Sequence, residues 1–100
     1  MEQFAYLLRP TRAGMLVEGP TAEEGRVIGE HFAYLQELLA RGVLKLAGRT
    51  LTTGPESFGI AVFEAADAAA AAAVVAGDPA VAGGVMTAAR FPFRVALAAG

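Results

Sequence analysis

The stretch GEHFAYLQELLARG, residues 29–42, holds the chain's only histidine, His31. Imidazole is the side chain whose ordinary titration falls near neutrality, so it can take and return a proton under physiological conditions. Its position is unusual for such a group. At about 100° per residue, Val27, Ile28, His31, Phe32, Leu35, Leu38 and Leu39 share one broad helical arc with Tyr34 at its edge. Arg26, Glu30, Ala33, Gln36, Glu37 and Ala40 occupy the other arc. An imidazole inside an apolar stripe is costly unless its nitrogens find partners. His31 therefore reads either as a satisfied structural histidine or as an acid/base bordering a cleft.

A carboxylate beside the ring would set its tautomer and orientation. Glu23, Glu30 and Glu37 fall on the wet face, and Glu64 and Asp67 belong to a strand exit. Glu24 and Asp78 remain, and each has a structural reading. Thr21 followed by Glu24 is a capping-box pattern. Aspartate before Pro79 is a good helix N-cap. Arg9, leaving the first strand near the start of the helix, is a candidate for holding an anionic substrate group. Tyr6 and Tyr34 are candidates for lining a cleft or packing a core.

Composition removes several other chemistries. With no cysteine there is no disulfide framework, thiol nucleophile or cysteine-based metal site, and one histidine makes a thin ligand set. Glycine-rich phosphate loops, nucleophile elbows and flavin motifs are missing, so no cofactor is expected. Eight basic residues stand scattered against ten acidic ones, which argues against nucleic-acid binding. The alanine-rich run is too short to span a bilayer, and the chain opens directly in a strand-like pattern. A soluble, cytoplasmic protein without a membrane partner is the expectation.

One hundred residues fit a single domain, 1–100. EQFAYLLR (2–9) reads as a strand, 10–20 as a Pro- and Gly-rich loop, and Thr21 to about Arg41 as a helix stopped by Gly42. Gly25 and Gly29 each weaken that helix by up to about 1 kcal/mol relative to alanine, so packing must hold it. Strands follow at 43–51 and 57–65, an alanine-rich helix at 66–77 ending at Gly77, a short turn or single helical turn, and a strand at 85–97. Pro92 marks that last strand as an edge or a bulge. The order β-α-β-β-α-β predicts an α+β, ferredoxin-like fold: a four-stranded antiparallel sheet with two helices on one face.

Both faces of that sheet are apolar. Phe58, Ile60 and Val62 alternate with Gly59, Ala61 and Phe63, and Phe4, Tyr6 and Leu8 alternate with Ala5 and Leu7. Two helices cover one face only, so the large residues Phe63 and Leu7 call for a second cover. A symmetric copy of the sheet, giving a homodimer, is the simplest one.

The helix EHFAYLQELLARGVLKLAG, the FGIAVFEA strand, the alanine-rich helix and GDPAVAGG before a last strand together resemble the YciI-like (YCII-related) family across nearly the whole chain. The shared markers are His31, Tyr34-Leu35, Gly42, Gly48 and Asp78-Pro79; Arg49 departs from the pattern, standing where the family often has proline. The resemblance implies a dimeric α+β barrel and a His-Asp pair at the active site, carried here by His31 and Asp78. It also implies dehydrochlorinase or isomerase chemistry, known in one branch for a chlorinated hydroxyhydroquinone and in similar barrels for muconolactone.

The leading expectation is a small cofactor-independent enzyme using His31 and Asp78 for acid/base chemistry on a small cyclic or carbonyl-containing substrate, with Arg9, Tyr6 and Tyr34 as substrate-binding candidates. The alternative is a non-catalytic dimeric ligand-binding or accessory module in which the pair anchors a cleft wall.

Overall fold

EQFAYLLRP alternates Phe4, Tyr6 and Leu8 with Ala5, Leu7 and Arg9, and in the computed structural model, which describes residues 1–100, it forms strand β1 (Glu2–Pro10). The elements that follow are α1 (Gly14–Val17), α2 (Ala22–Ala40), β2 (Leu44–Arg49), β3 (Gly59–Ala65), α3 (Ala68–Ala76), α4 (Pro79–Ala82) and β4 (Met86–Pro92). The sheet order is β2-β3-β1-β4, and β1–β3, β1–β4 and β2–β3 all pair antiparallel. This is the ferredoxin-like plan: β1 crosses to β2 through α2, β2 and β3 form a hairpin, and β3 crosses to β4 through α3. As Pro92 indicates, β4 is an edge strand.

Local chemistry sets the ends of α2. The Thr21 hydroxyl accepts from the Glu24 N–H at 3.1 Å, and the Glu24 carboxylate accepts from the Thr21 N–H at 2.9 Å. At the other end Gly42 adopts φ 75°, and Val43 and Gly42 donate to the Leu38 and Leu39 carbonyls at 2.9 and 3.0 Å. Only glycine enters that left-handed region without steric penalty. Asp67 caps α3 by accepting from the Ala70 N–H.

The core lies between the sheet and the helices. Phe4, Tyr6, Leu8, Leu44, Ala61, Phe63 and Ala65 meet Leu35, Leu38, Ala71 and Val75. Phe63 stacks on Phe4 at 5.9 Å and meets Tyr6 edge-on at 5.8 Å. Register assigns the opposite face: Ala5 faces Val62 and Phe91, Leu7 faces Ile60 and Ala89, and Leu46 faces Val62. Of the two residues that argued for an apolar second face, Leu7 stands on it. Phe63 does not; it is paired with Phe4 and fully buried beneath the helices.

The structure corrects three further expectations. The 10–20 segment holds a helical turn, α1, because Met15 finds a buried site and Arg12 ties the segment to Glu18, Gly19 and Glu24. The hairpin strands are shorter than 43–51 and 57–65, since Thr50, Thr52 and Ser57 bond to one another through their side chains in the connecting loop. The last strand ends at Pro92, after which one backbone bond to β1 remains, from the Phe93 N–H to the Gln3 carbonyl at 3.1 Å. The alanine-rich helix does end at Gly77, which has φ −78°, ordinary helical backbone. Glycine is required there for space: a Cβ would lie 2.8 Å from the Tyr34 hydroxyl.

Hydrogen bonds from Arg12, and then from the Thr21 backbone, lower the Glu24 carboxyl from 4.5 to about 2. Because the folded value lies below the unfolded one, this ion contributes stability above about pH 4.5 and loses it as the pH falls toward 2. Glu24→Gln keeps a capping acceptor but no charge. We expect it to melt below the parent protein at neutral pH, with the gap closing in thermal melts near the acid end of that window.

Candidate active site

Two stripes on α2 divide its work. Val27, His31, Tyr34 and Leu38 recur at helical spacing and turn toward α3 and α4. Val27 comes within 3.6 Å of the Cβ position of Gly83, and the Tyr34 hydroxyl donates to the Val74 carbonyl at 2.7 Å. Ile28, Phe32 and Leu35, with Gly25 and Gly29, instead line a cavity of about 540 Å³. Its other walls come from Leu8 and Pro10 of β1, Ala47 to Thr50 at the end of β2, and Phe58 to Ile60. Phe32 was expected in the buried arc but is 61% exposed, because nothing packs over that flank of the cavity; Leu39 is also exposed.

His31 lies at the seam between the stripes. Its side chain is 12% exposed and forms part of the cavity lining, while Nδ1 is 2.8 Å from both carboxylate oxygens of Asp78. Asp78 is fully buried. Its Oδ1 also accepts from the Ala80 N–H at 2.9 Å, and its Oδ2 accepts from the Tyr6 hydroxyl at 2.8 Å. Asp78 is thus the N-cap of α4 and the partner of His31 at once, so the two readings of its position are not alternatives.

The donor inventory decides the tautomer. An ionised carboxylate only accepts hydrogen bonds, so Nδ1 must carry a proton. In the neutral ring Nε2 is then the basic nitrogen. Nε2 has no hydrogen-bond partner, and no buried polar side-chain atom is left unpaired, so Nε2 is open to solvent. The Tyr6 hydroxyl is held in its protonated form: burial, and then the charge of Asp78, push its pKa well above the usual tyrosine value. Burial and Asp78 also raise that of Tyr34.

The remaining candidates do not line the cavity. Tyr6 is fully buried behind Asp78, and Tyr34 is turned toward α3. Arg9 alternates with Leu8 and so leaves β1 on the open face of the sheet, its guanidinium 5.8 Å from the centre of the Phe58 ring. Sequence reasoning passed over Arg49, Thr50, Thr52 and Ser57, all in the cavity wall. The mismatch at Arg49 with the family pattern was the available signal. No three His, Asp or Glu side chains come together as a metal site would require.

The model of the YCII-related domain matches residues 4–92. The chain belongs to the YCII-related family. No curated protein matches it significantly. Among solved structures, this YCII-related chain resembles a 5-chloro-2-hydroxyhydroquinone dehydrochlorinase from Burkholderia phenoliruptrix in complex with 2,5-dihydroxybenzoquinone. That likeness has a TM-score of 0.65 at 20% identity, covering 91% of this chain and 93% of the other, which establishes a shared fold.

The Tyr6 hydroxyl bond can be tested without disturbing the ring. Tyr6→Phe deletes a buried donor to a carboxylate, and we expect a loss of about 1.5–3 kcal/mol in denaturant unfolding. A loss below about 0.5 kcal/mol would show that Asp78 does not depend on this bond.

Proposed function

We propose that the chain is a small acid/base enzyme, independent of cofactors, that moves a proton on a small cyclic or carbonyl-containing substrate. One observation carries this reading: a histidine whose Nδ1 is pinned by a buried carboxylate borders a largely apolar cavity and keeps Nε2 free. A cavity of about 540 Å³ is of the size that holds small organic ligands.

In the proposed reaction Nε2 of neutral His31 takes a proton from a ring carbon next to a carbonyl, and the C–H electron pair moves into the ring. Reprotonation at another carbon gives an isomerisation; departure of a leaving group such as chloride gives an elimination. Asp78 holds the imidazole in the required tautomer and offsets the charge it gains, and Tyr6 and the Ala80 N–H hold Asp78. The dehydrochlorinase fold relative supports this class of reaction. The substrate and the step after proton removal are part of the proposal.

His31→Asn and His31→Ala should remain folded by circular dichroism. We expect each to lose about 10²–10⁴-fold in kcat/KM on whichever hydroxyquinone or lactone of a panel the parent protein turns over. Undiminished turnover in His31→Asn would refute the role. Unfolding or lost ligand binding in both variants, with no turnover by the parent, would favour the non-catalytic binding module.

We further propose that two copies pair through the open sheet face, where the half-buried Leu7 and Ile60 form an apolar patch with the exposed Leu46 and Phe91. Light scattering should return twice the chain mass, and Leu7→Glu should return the single-chain mass. A monomeric parent protein would refute the pairing.

A further inference from the structure

Arg49 ends β2 opposite Gly59, on the same face as Ala47 and Ala61, which is the side of the sheet that the helices and the cavity share. Its cross-strand neighbour has no side chain. A Cβ on Gly59 would meet the Gly48 carbonyl at 3.5 Å and Leu8 at 3.8 Å, ordinary van der Waals contact. Arg49 is the one permanently charged residue of the cavity wall, which contains no aspartate or glutamate. Arg12, Arg26 and Lys45 are each engaged by glutamates, whereas Arg49 has no ion pair and only a long 3.5 Å contact to the Thr50 carbonyl. Most of its donors are therefore unused.

The adjoining hydroxyls add another donor. Thr52 donates to Thr50 Oγ1 at 2.8 Å, and the Phe58 N–H donates to the same oxygen at 3.1 Å. Thr52 has a single hydroxyl proton, so in its 2.6 Å contact with Ser57 the serine is the donor. Both acceptor positions of Thr50 are filled while its own proton has no acceptor. The chain Ser57, Thr52, Thr50 thus ends in a free O–H on a residue of the same cavity wall as Arg49.

We propose that Arg49 and the Thr50 hydroxyl bind an oxyanion, and that the ligand of the cavity is a small ring bearing one such group, a carboxylate or an ionised phenol or enol. This rests on the cavity being a ligand site, as proposed above. The guanidinium fork suits a planar anionic group, and apolar walls strengthen the attraction relative to water. Arg9, the cation expected for this task, is on the other face of the sheet.

The test titrates isotope-labelled protein with benzoate, 4-nitrophenolate and the neutral benzamide, following the His31 ring signals by NMR. The oxyanion probes should bind about tenfold or more tightly than benzamide, the weight of one charge-assisted hydrogen bond. That preference should weaken with added salt and vanish in Arg49→Gln, with benzamide affinity unchanged. Binding of one oxyanion probe but not the other would still support Arg49 and would identify the group it prefers. Equal affinities for acids and amide, or a preference that survives in Arg49→Gln, would overturn the proposal while leaving the cavity a ligand site. If no probe moves the His31 signals, the cavity reading fails and this one with it. Arg49 is exposed and unpaired, so Arg49→Gln should fold as the parent does.

Discussion

A carboxylate with no access to water is the constraint around which this molecule is arranged. Removing an ionised aspartate from solvent costs several kcal/mol unless hydrogen bonds and charge replace the lost hydration. Asp78 meets that requirement with three donors from three places in the chain: the hydroxyl of Tyr6 on β1, the imidazole of His31 on α2, and the Ala80 N–H in the first turn of α4. Each donor is useful only if its element lies at the correct depth and rotation. The carboxylate therefore ties the central strand, the long helix and the short helix into one arrangement. Loss of any donor leaves a buried acceptor underused, so the group specifies geometry as much as it stabilises.

The same arrangement fixes the imidazole of His31. With Nδ1 held by Asp78, Nε2 is left without a protein partner on a residue of the cavity lining. The cavity exists because α2 is split lengthwise. One stripe is anchored to α3 and α4; the other carries Gly25, Gly29 and the exposed Phe32 and leaves room between helix and sheet. A helix with two interior glycines forgoes intrinsic stability, and the capping box and the left-handed stop at Gly42 partly compensate. Local stability is strongest at the helix ends, and open space is left near the middle.

Much of the fold was legible because its determinants are local. Thr21 and Glu24 meet within a single turn, Gly42 needs only its own backbone freedom, and Asp67 and Asp78 cap helices that start beside them. Strand order followed from element order through the handedness of crossovers. The helical turn at 14–17 was hidden because it depends on Met15 reaching a buried site and on Arg12 bonding to a glutamate twelve residues away. The helix end at Gly77 was legible, but the steric need for glycine there was not, since the group it accommodates, Tyr34, comes from a different helix.

The sequence by itself determined the inventory: one imidazole on an apolar helical arc, few carboxylates able to reach it, no thiols, and a β-α-β-β-α-β order with room for one sheet. Tertiary structure alone decided which strand face was open, that Phe63 belonged inside and Leu7 outside, and that Arg49 rather than Arg9 shares the cavity with His31. The physical reason is period. Alternation along a strand tells which residues share a side, but which side meets the helices depends on register with neighbours far away in the chain. A cavity is further still from the one-dimensional pattern, being the space that packing between those neighbours leaves unfilled.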